Sequence, residues 1–174
     1  MNLSQFLKFI LLLFLAFSCK SPSKISQTKS ATDVKNSKVP TIKSLEKINK
    51  VIETARSYIG TGYKYGGTTK AGMDCSGLIW VSYKAANIEL PRTSTQLKGI
   101  GKKVNIANIK SGDLVFFSAK KDSKKITHVG IITESKDKND VKFIHASTTR
   151  GVIETSLFTK YWLEIFVKAI RPYR

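Results

Sequence analysis

Histidine and cysteine are scarce in this 174-residue chain, which has only His128 and His145, Cys19 and Cys75. Two cysteines cannot make a disulfide-stapled scaffold, and the paired short ligand spacings of a structural zinc site are missing. Acids are few as well, 12 against 30 lysines and arginines, which leaves a net charge of +18. Such a surface attracts polyanions. The chain nevertheless lacks the aromatic-interleaved basic strand or recognition helix of a nucleic-acid binder, so nucleic acid is not read as a partner, and a solvated lysine-rich surface accounts for the charge equally well. Long apolar runs are absent beyond residues 9–17, a stretch too short to span a bilayer stably.

That stretch follows Lys8, and the charge-then-hydrophobe order reads as an export leader over residues 1–18. It ends in Leu15-Ala16-Phe17-Ser18-Cys19, which resembles the lipobox of bacterial lipoproteins, with Ala16 where leucine is commonest. A lipidated Cys19 would hold the mature protein on a membrane, since each buried methylene contributes about 0.8 kcal/mol. Lys20, rather than an aspartate, follows it, which points to the periplasmic face of the outer membrane. Lipidation also leaves Cys75 without a disulfide partner. A free thiol in an oxidising compartment is a liability unless its chemistry is used.

Residues 20–43 carry six lysines, one acid and no aromatic side chain, so residues 19–43 read as a lipidated cysteine on a solvated basic tether. Its coil reach is roughly 25–30 Å, and about 80 Å fully extended. Globular signals fill residues 44–174, which keep a net charge of +12. Behind a Ser44 N-cap, Leu45, Ile48, Val51, Ile52, Ala55, Tyr58 and Ile59 recur at helical spacing up to Gly60. A turn-rich segment, 60–72, leads to a second helix predicted from Cys75 to about Ala86, and a short one around 94–98. Beyond Gly112 the pattern changes to β-rich runs at 113–118, 128–133, 141–147, 151–156 and 166–171. Helices first and strands later predict a single α+β domain, with a mostly antiparallel sheet of about five strands.

Both histidines lie in β-rich runs, in "HVGIIT" and "FIHAS", joined by a polar turn of hairpin length. Alternation groups His128 with Gly130 and Ile132, and His145 with Phe143 and Ser147, so the two rings can stand side by side. Cys75 opens a helix. A helix N-terminus together with an imidazole that takes the proton can lower a thiol's pKa by about two units and make the thiolate the major form. One histidine would then act as base and later protonate the leaving amine, the second would orient it, and N–H groups at the helix start would hold the oxyanion. The plainer readings are a buried inert thiol, strand histidines satisfied in a core, and a Cys-His-His zinc site.

"YKYGGTTKAGMDCSGLIW", "LPRTS", "GDLVFF", "HVGIIT" and "FIHAS" stand in the order found in the NlpC family of bacterial cell-wall cysteine peptidases, which residues 52–171 resemble. The resemblance implies a papain-like fold with the nucleophile helix packed on the sheet. It implies Cys75 as nucleophile, His128 as base, His145 as orienting residue, Tyr63 beside the oxyanion and Ser76 as a backbone donor to it. Asp74, flanking the nucleophile, and Arg92, in "LPRTS", are candidates for substrate binding, with a structural salt bridge the alternative for Arg92. Gly66 and Gly67 fit a loop that turns tightly beside the cleft, and Trp80 and the aromatics of "YWLEIF" fit a core or cleft wall. The implied reaction is hydrolysis of a peptidoglycan stem peptide between D-glutamate and the following diamino acid, by a monomer that needs no cofactor. Two alternatives stand beside it: a cysteine amidase or transacylase acting on another envelope substrate, and a non-catalytic wall-binding lipoprotein.

Overall fold

The structure, a computed structural model, describes residues 41–137 and 139–172. The expected leader, Cys19 and the tether up to residue 40 lie outside the described residues. Thr41 caps the first helix, α1 (Ile42–Arg56), its Oγ1 accepting from the Ser44 N–H at 3.3 Å. The helix therefore starts before the expected cap, Ser44, and takes up the last residues of the expected tether. It also stops short of Gly60. Gly60 instead turns with a φ of 87° and donates its N–H to the Val152 carbonyl at 3.0 Å, which bends the chain toward the sheet. Only the C-terminal half of the apolar stripe packs: Val51, Ile52 and Ala55 are buried, whereas Leu45 stays exposed.

The segment read as loop holds a two-stranded hairpin, β1 (Thr68–Thr69) and β2 (Gly72–Met73). It delivers the chain into α2 (Cys75–Ala85), where Ser76, Gly77, Leu78, Ile79, Ser82 and Tyr83 are all buried. A helix apolar on this many sides belongs inside a fold. Leu78 and Ile79, fully buried, contribute roughly 1.5–3 kcal/mol each. The short α3 (Ser94–Leu97) follows, capped by Thr93.

Six strands, β3 (Lys102–Val104), β4 (Leu114–Ser118), β5 (Ile126–Ser135), β6 (Val141–Ser147), β7 (Gly151–Ser156) and β8 (Phe166–Arg171), form one antiparallel sheet in the order β3-β8-β4-β5-β6-β7. That is one strand more than the sequence predicts. β3 escaped because its sequence, Lys102-Lys103-Val104, has two exposed lysines and a single inward valine, as suits a short edge strand. A fourth helix, α4 (Lys160–Ile165), stands just before β8, with Thr159 as its cap.

Alternation along the strands gives the sheet two apolar faces. Phe116, Val129, Ile131, Ile144, Ala146 and Ile170 pack against α1 and α2. Val115, Phe117, Ile132, Phe143 and Ala169 pack on the other side, against Trp162 and Ile165 of α4. The ladder between β5 and β6 runs from Ser135↔Val141 to Ile131↔Ile144. Past that pair, among the described residues, β5 continues beside β4 and β6 beside β7, so the two strands part where each carries its histidine.

Candidate active site

Asp74 sets the start of α2. Its backbone is extended and its Oδ1 accepts from the Gly77 N–H at 2.6 Å and from Ser76 Oγ at 3.2 Å, while Oδ2 accepts from the Gly66 N–H at 2.7 Å. Arg92 completes the cradle, donating Nη1 to Oδ1 at 3.0 Å, Nη2 to Oδ2 at 2.9 Å, and Nη1 to Ser76 Oγ at 2.8 Å. Burial alone would raise the Asp74 carboxyl, but Arg92 and the Gly77 and Gly66 N–H groups together hold it below its ordinary value. Both side chains named from the sequence as candidates for substrate thus spend their polar atoms inside the chain, and the salt-bridge alternative for Arg92 is the arrangement found. Gly66 turns with a φ of 76°, and a Cβ on Gly67 would stand 2.3 Å from the Gly72 carbonyl oxygen, so this loop closes only with glycine at both places.

Cys75 follows the cap, partly buried, with the backbone N–H groups of Val129, Ser76 and Cys75 itself facing its sulfur. The Val129 N–H places the thiol against β5, one residue from His128. These donors favour thiolate, yet they do not prevail: burial pushes the Cys75 thiol up, and the Asp74 carboxylate adds to the rise. The expected major thiolate is therefore corrected to a resting thiol, because burial, helped by the Asp74 charge, outweighs the donors at the helix start.

The histidines meet across the parted strands, with His128 Nε2 2.9 Å from His145 Nδ1 and the rings nearly perpendicular at 89°. His145 is 2% exposed. Burial lowers the His128 pKa to about 4. Burial, with the charges of His128 and Arg150, lowers that of His145 to about 3. Both rings are neutral at pH 7. With Nε2 of His128 engaged by His145, Nδ1 is the ring nitrogen that stays outside this contact. Tyr63 sits beside the site, bridged to Met73, and burial followed by the proximity of Cys75 and Asp74 raises its hydroxyl.

Cys75, Ser76, Tyr63 and Asp74 are thus brought together at one end of α2, with His128 next to the Val129 amide that meets the sulfur and His145 behind it. The sequence reading missed the Val129 amide and Phe117, at 6.3 Å from His128; Trp162, expected in a core or cleft wall, lies against both rings, and Phe143, expected on the face of His145, stacks on it at 5.0 Å. The cap pattern Thr159-x-x-Trp162 was the available signal for the helix that carries Trp162.

The chain is 40% identical over 117 residues to an Escherichia coli protein named probable endopeptidase NlpC, covering 67% of this chain and 72% of that one. It is 38% identical over 115 residues to a Haemophilus influenzae probable endopeptidase NlpC homolog, covering 66% of this chain and 57% of its relative, so the match spans little more than half of that protein. Among solved structures, an NlpC/P60 family protein from Bacillus cereus superposes with a TM-score of 0.66 at 27% identity, over 73% of this chain and 40% of the other. The model of the NlpC/P60 family matches residues 60–171, from the turn after α1 to the end of β8, and with the site's architecture this makes the chain a member of the NlpC/P60 family.

Proposed function

We propose that the chain is a peptidoglycan endopeptidase that hydrolyses an amide bond of a stem peptide through an acyl-thioester on Cys75. The observation that carries the reading is the pair of neutral imidazoles joined at 2.9 Å, held beside the strand amide that faces the thiol. Because thiol and imidazole are both uncharged at rest, the proton moves only when substrate arrives. His128 Nδ1 takes the proton of Cys75 Sγ as the sulfur adds to the amide carbonyl carbon. The N–H groups at the start of α2, with Tyr63, stabilise the oxyanion. His128 then protonates the amine as the carbon–nitrogen bond breaks. Water, deprotonated by the same imidazole, adds to the thioester and releases the new carboxylate and the thiol. His145 holds the His128 ring throughout.

Two finer assignments belong to the same proposal. The bond is that between D-glutamate and the following diamino acid, and the protein is exported, lipidated on Cys19 and carried at the periplasmic face of the outer membrane on the tether ahead of α1. The resemblance to the NlpC family supports the first, and the lipobox-like residues 15–19 support the second. The test is a digest of purified sacculi with the product masses determined: the parent releases fragments cut at that bond, and folded Cys75→Ala releases none. Cleavage by Cys75→Ala at the parental rate overturns the mechanism, and intact stems with both proteins overturn the substrate.

A further inference from the structure

Trp162 is the aromatic residue of α4 whose ring meets both histidines. Its backbone N–H is held by the Thr159 cap at 3.4 Å, and its side chain is 9% exposed. The indole lies parallel to His128, 19° between planes at 6.1 Å, and edge-to-face with His145, 76° at 4.9 Å. Phe143, perpendicular to the indole, stacks on the other ring of the pair, His145, at 5.0 Å. Inside this aromatic wall, His145 Nε2 is buried without a hydrogen-bond partner.

That orphan nitrogen decides the tautomer. The contact between His128 Nε2 and His145 Nδ1 holds one proton, and two arrangements are open to it. If His145 carries its proton on Nδ1, it donates to His128, and the His128 proton must sit on Nδ1, where it blocks uptake from Cys75. If His145 carries its proton on Nε2, its Nδ1 accepts, His128 donates from Nε2, and the His128 Nδ1 lone pair is free. A buried N–H finds partial compensation against the electron-rich face of an aromatic ring, whereas a bare lone pair is repelled by it. We propose that Trp162 is a positioning residue: its indole selects the Nε2–H tautomer of His145, and so keeps His128 in the form that can accept the thiol proton. The kinetic consequence rests on the peptidase reading above; the tautomer does not.

The same wall excludes water, and this is why both rings titrate so low. The charged group that bears on the pair is Arg150, ahead of β7. The test uses the full chain labelled with 15N-histidine, whose two residues give four ring nitrogens in a long-range proton–nitrogen spectrum. At pH 7 the parent is expected to carry its ring protons on Nε2 of both histidines. Trp162→Leu is expected to mix the tautomers, raise both titrations toward 6.5, and lower kcat at least tenfold with KM within about twofold. Trp162→Phe, which keeps a π face, should restore the tautomer and most of kcat. A parent spectrum with His145 protonated on Nδ1 overturns the proposal, as does a folded Trp162→Leu with the parental tautomer and pH profile. Should Trp162→Leu fail to fold, the parent spectrum alone decides. A parent that cleaves no peptidoglycan but shows the expected tautomer would overturn the peptidase reading and leave this one standing.

Discussion

Removing Arg92 would show whether the start of α2 is held by charge or by shape. In Arg92→Ala the Asp74 carboxylate, 8% exposed, keeps its bonds from the Gly66 and Gly77 N–H groups and loses two from the guanidinium. Breaking a fully buried ion pair costs about 3–5 kcal/mol, but the Arg92 side chain is 32% exposed and water can enter where it stood, so about 2 kcal/mol is expected. For a domain of this size that is a fall in Tm of roughly 6–8 °C. Arg92→Lys keeps a charge but not the planar fork, and should lose about half as much. The pH dependence identifies the cause. Asp74 titrates below its ordinary value in the fold, so its contribution is present above the unfolded carboxyl pKa and lost as pH falls through the folded one. Denaturant unfolding of parent and Arg92→Ala should therefore differ fully at pH 6 and much less at pH 3. Equal differences at both pH values would mean lost packing, and no difference at either would refute the clamp.

The buried histidines set a second pH dependence, of opposite chemistry. Between pH 6.5 and about 4 the unfolded chain binds protons that the folded His128 refuses, so stability is full above 6.5 and declines as pH falls to about 4, by about 3 kcal/mol for this ring alone; a His128→Asn, His145→Asn double variant should flatten that slope in urea titrations. For the same reason the acid limb of kcat/KM should lie near pH 4 to 5, and a limb at 6.5 would show that the imidazoles are wet. Tyr83→Phe removes a fully buried hydroxyl that donates to the Gly112 carbonyl, and should cost about 1–2 kcal/mol in denaturant unfolding without changing kcat. Gly67→Ala, by pressing a Cβ onto the Gly72 carbonyl, should lower both Tm and kcat, because the displaced loop also carries the Gly66 amide that grips Asp74.

The parts of this fold that read clearly from sequence are those whose signal is local. Period gives α2 from Cys75, β-rich runs give β4 through β8, and alternation gives the shared face of the two rings, which the structure brings to 2.9 Å. What did not read is set by partners distant in the chain. β3 exists because β8 offers it an edge, with Val104 opposite Ala169. α4 was legible only through Thr159, since its apolar letters also suit a strand. The Cys75 thiol was misjudged because local logic counts the positive end of a helix and not the burial of that end, nor the carboxylate that caps it. The hairpin of β1 and β2 hides in Gly- and Thr-rich letters that read as loop.

The proposed hydrolysis passes through a covalent bond between the substrate acyl carbon and Cys75 Sγ, formed as the thiol proton moves to His128. It is tested most directly by mixing the full chain with a defined stem peptide, quenching in acid within milliseconds to seconds, and mapping the protein by mass spectrometry. The expected result is an acyl adduct confined to the peptide containing Cys75, accumulating before steady-state product and lost in His128→Ala. Turnover with no adduct on that peptide, or with an adduct that forms as fast without His128, would contradict it.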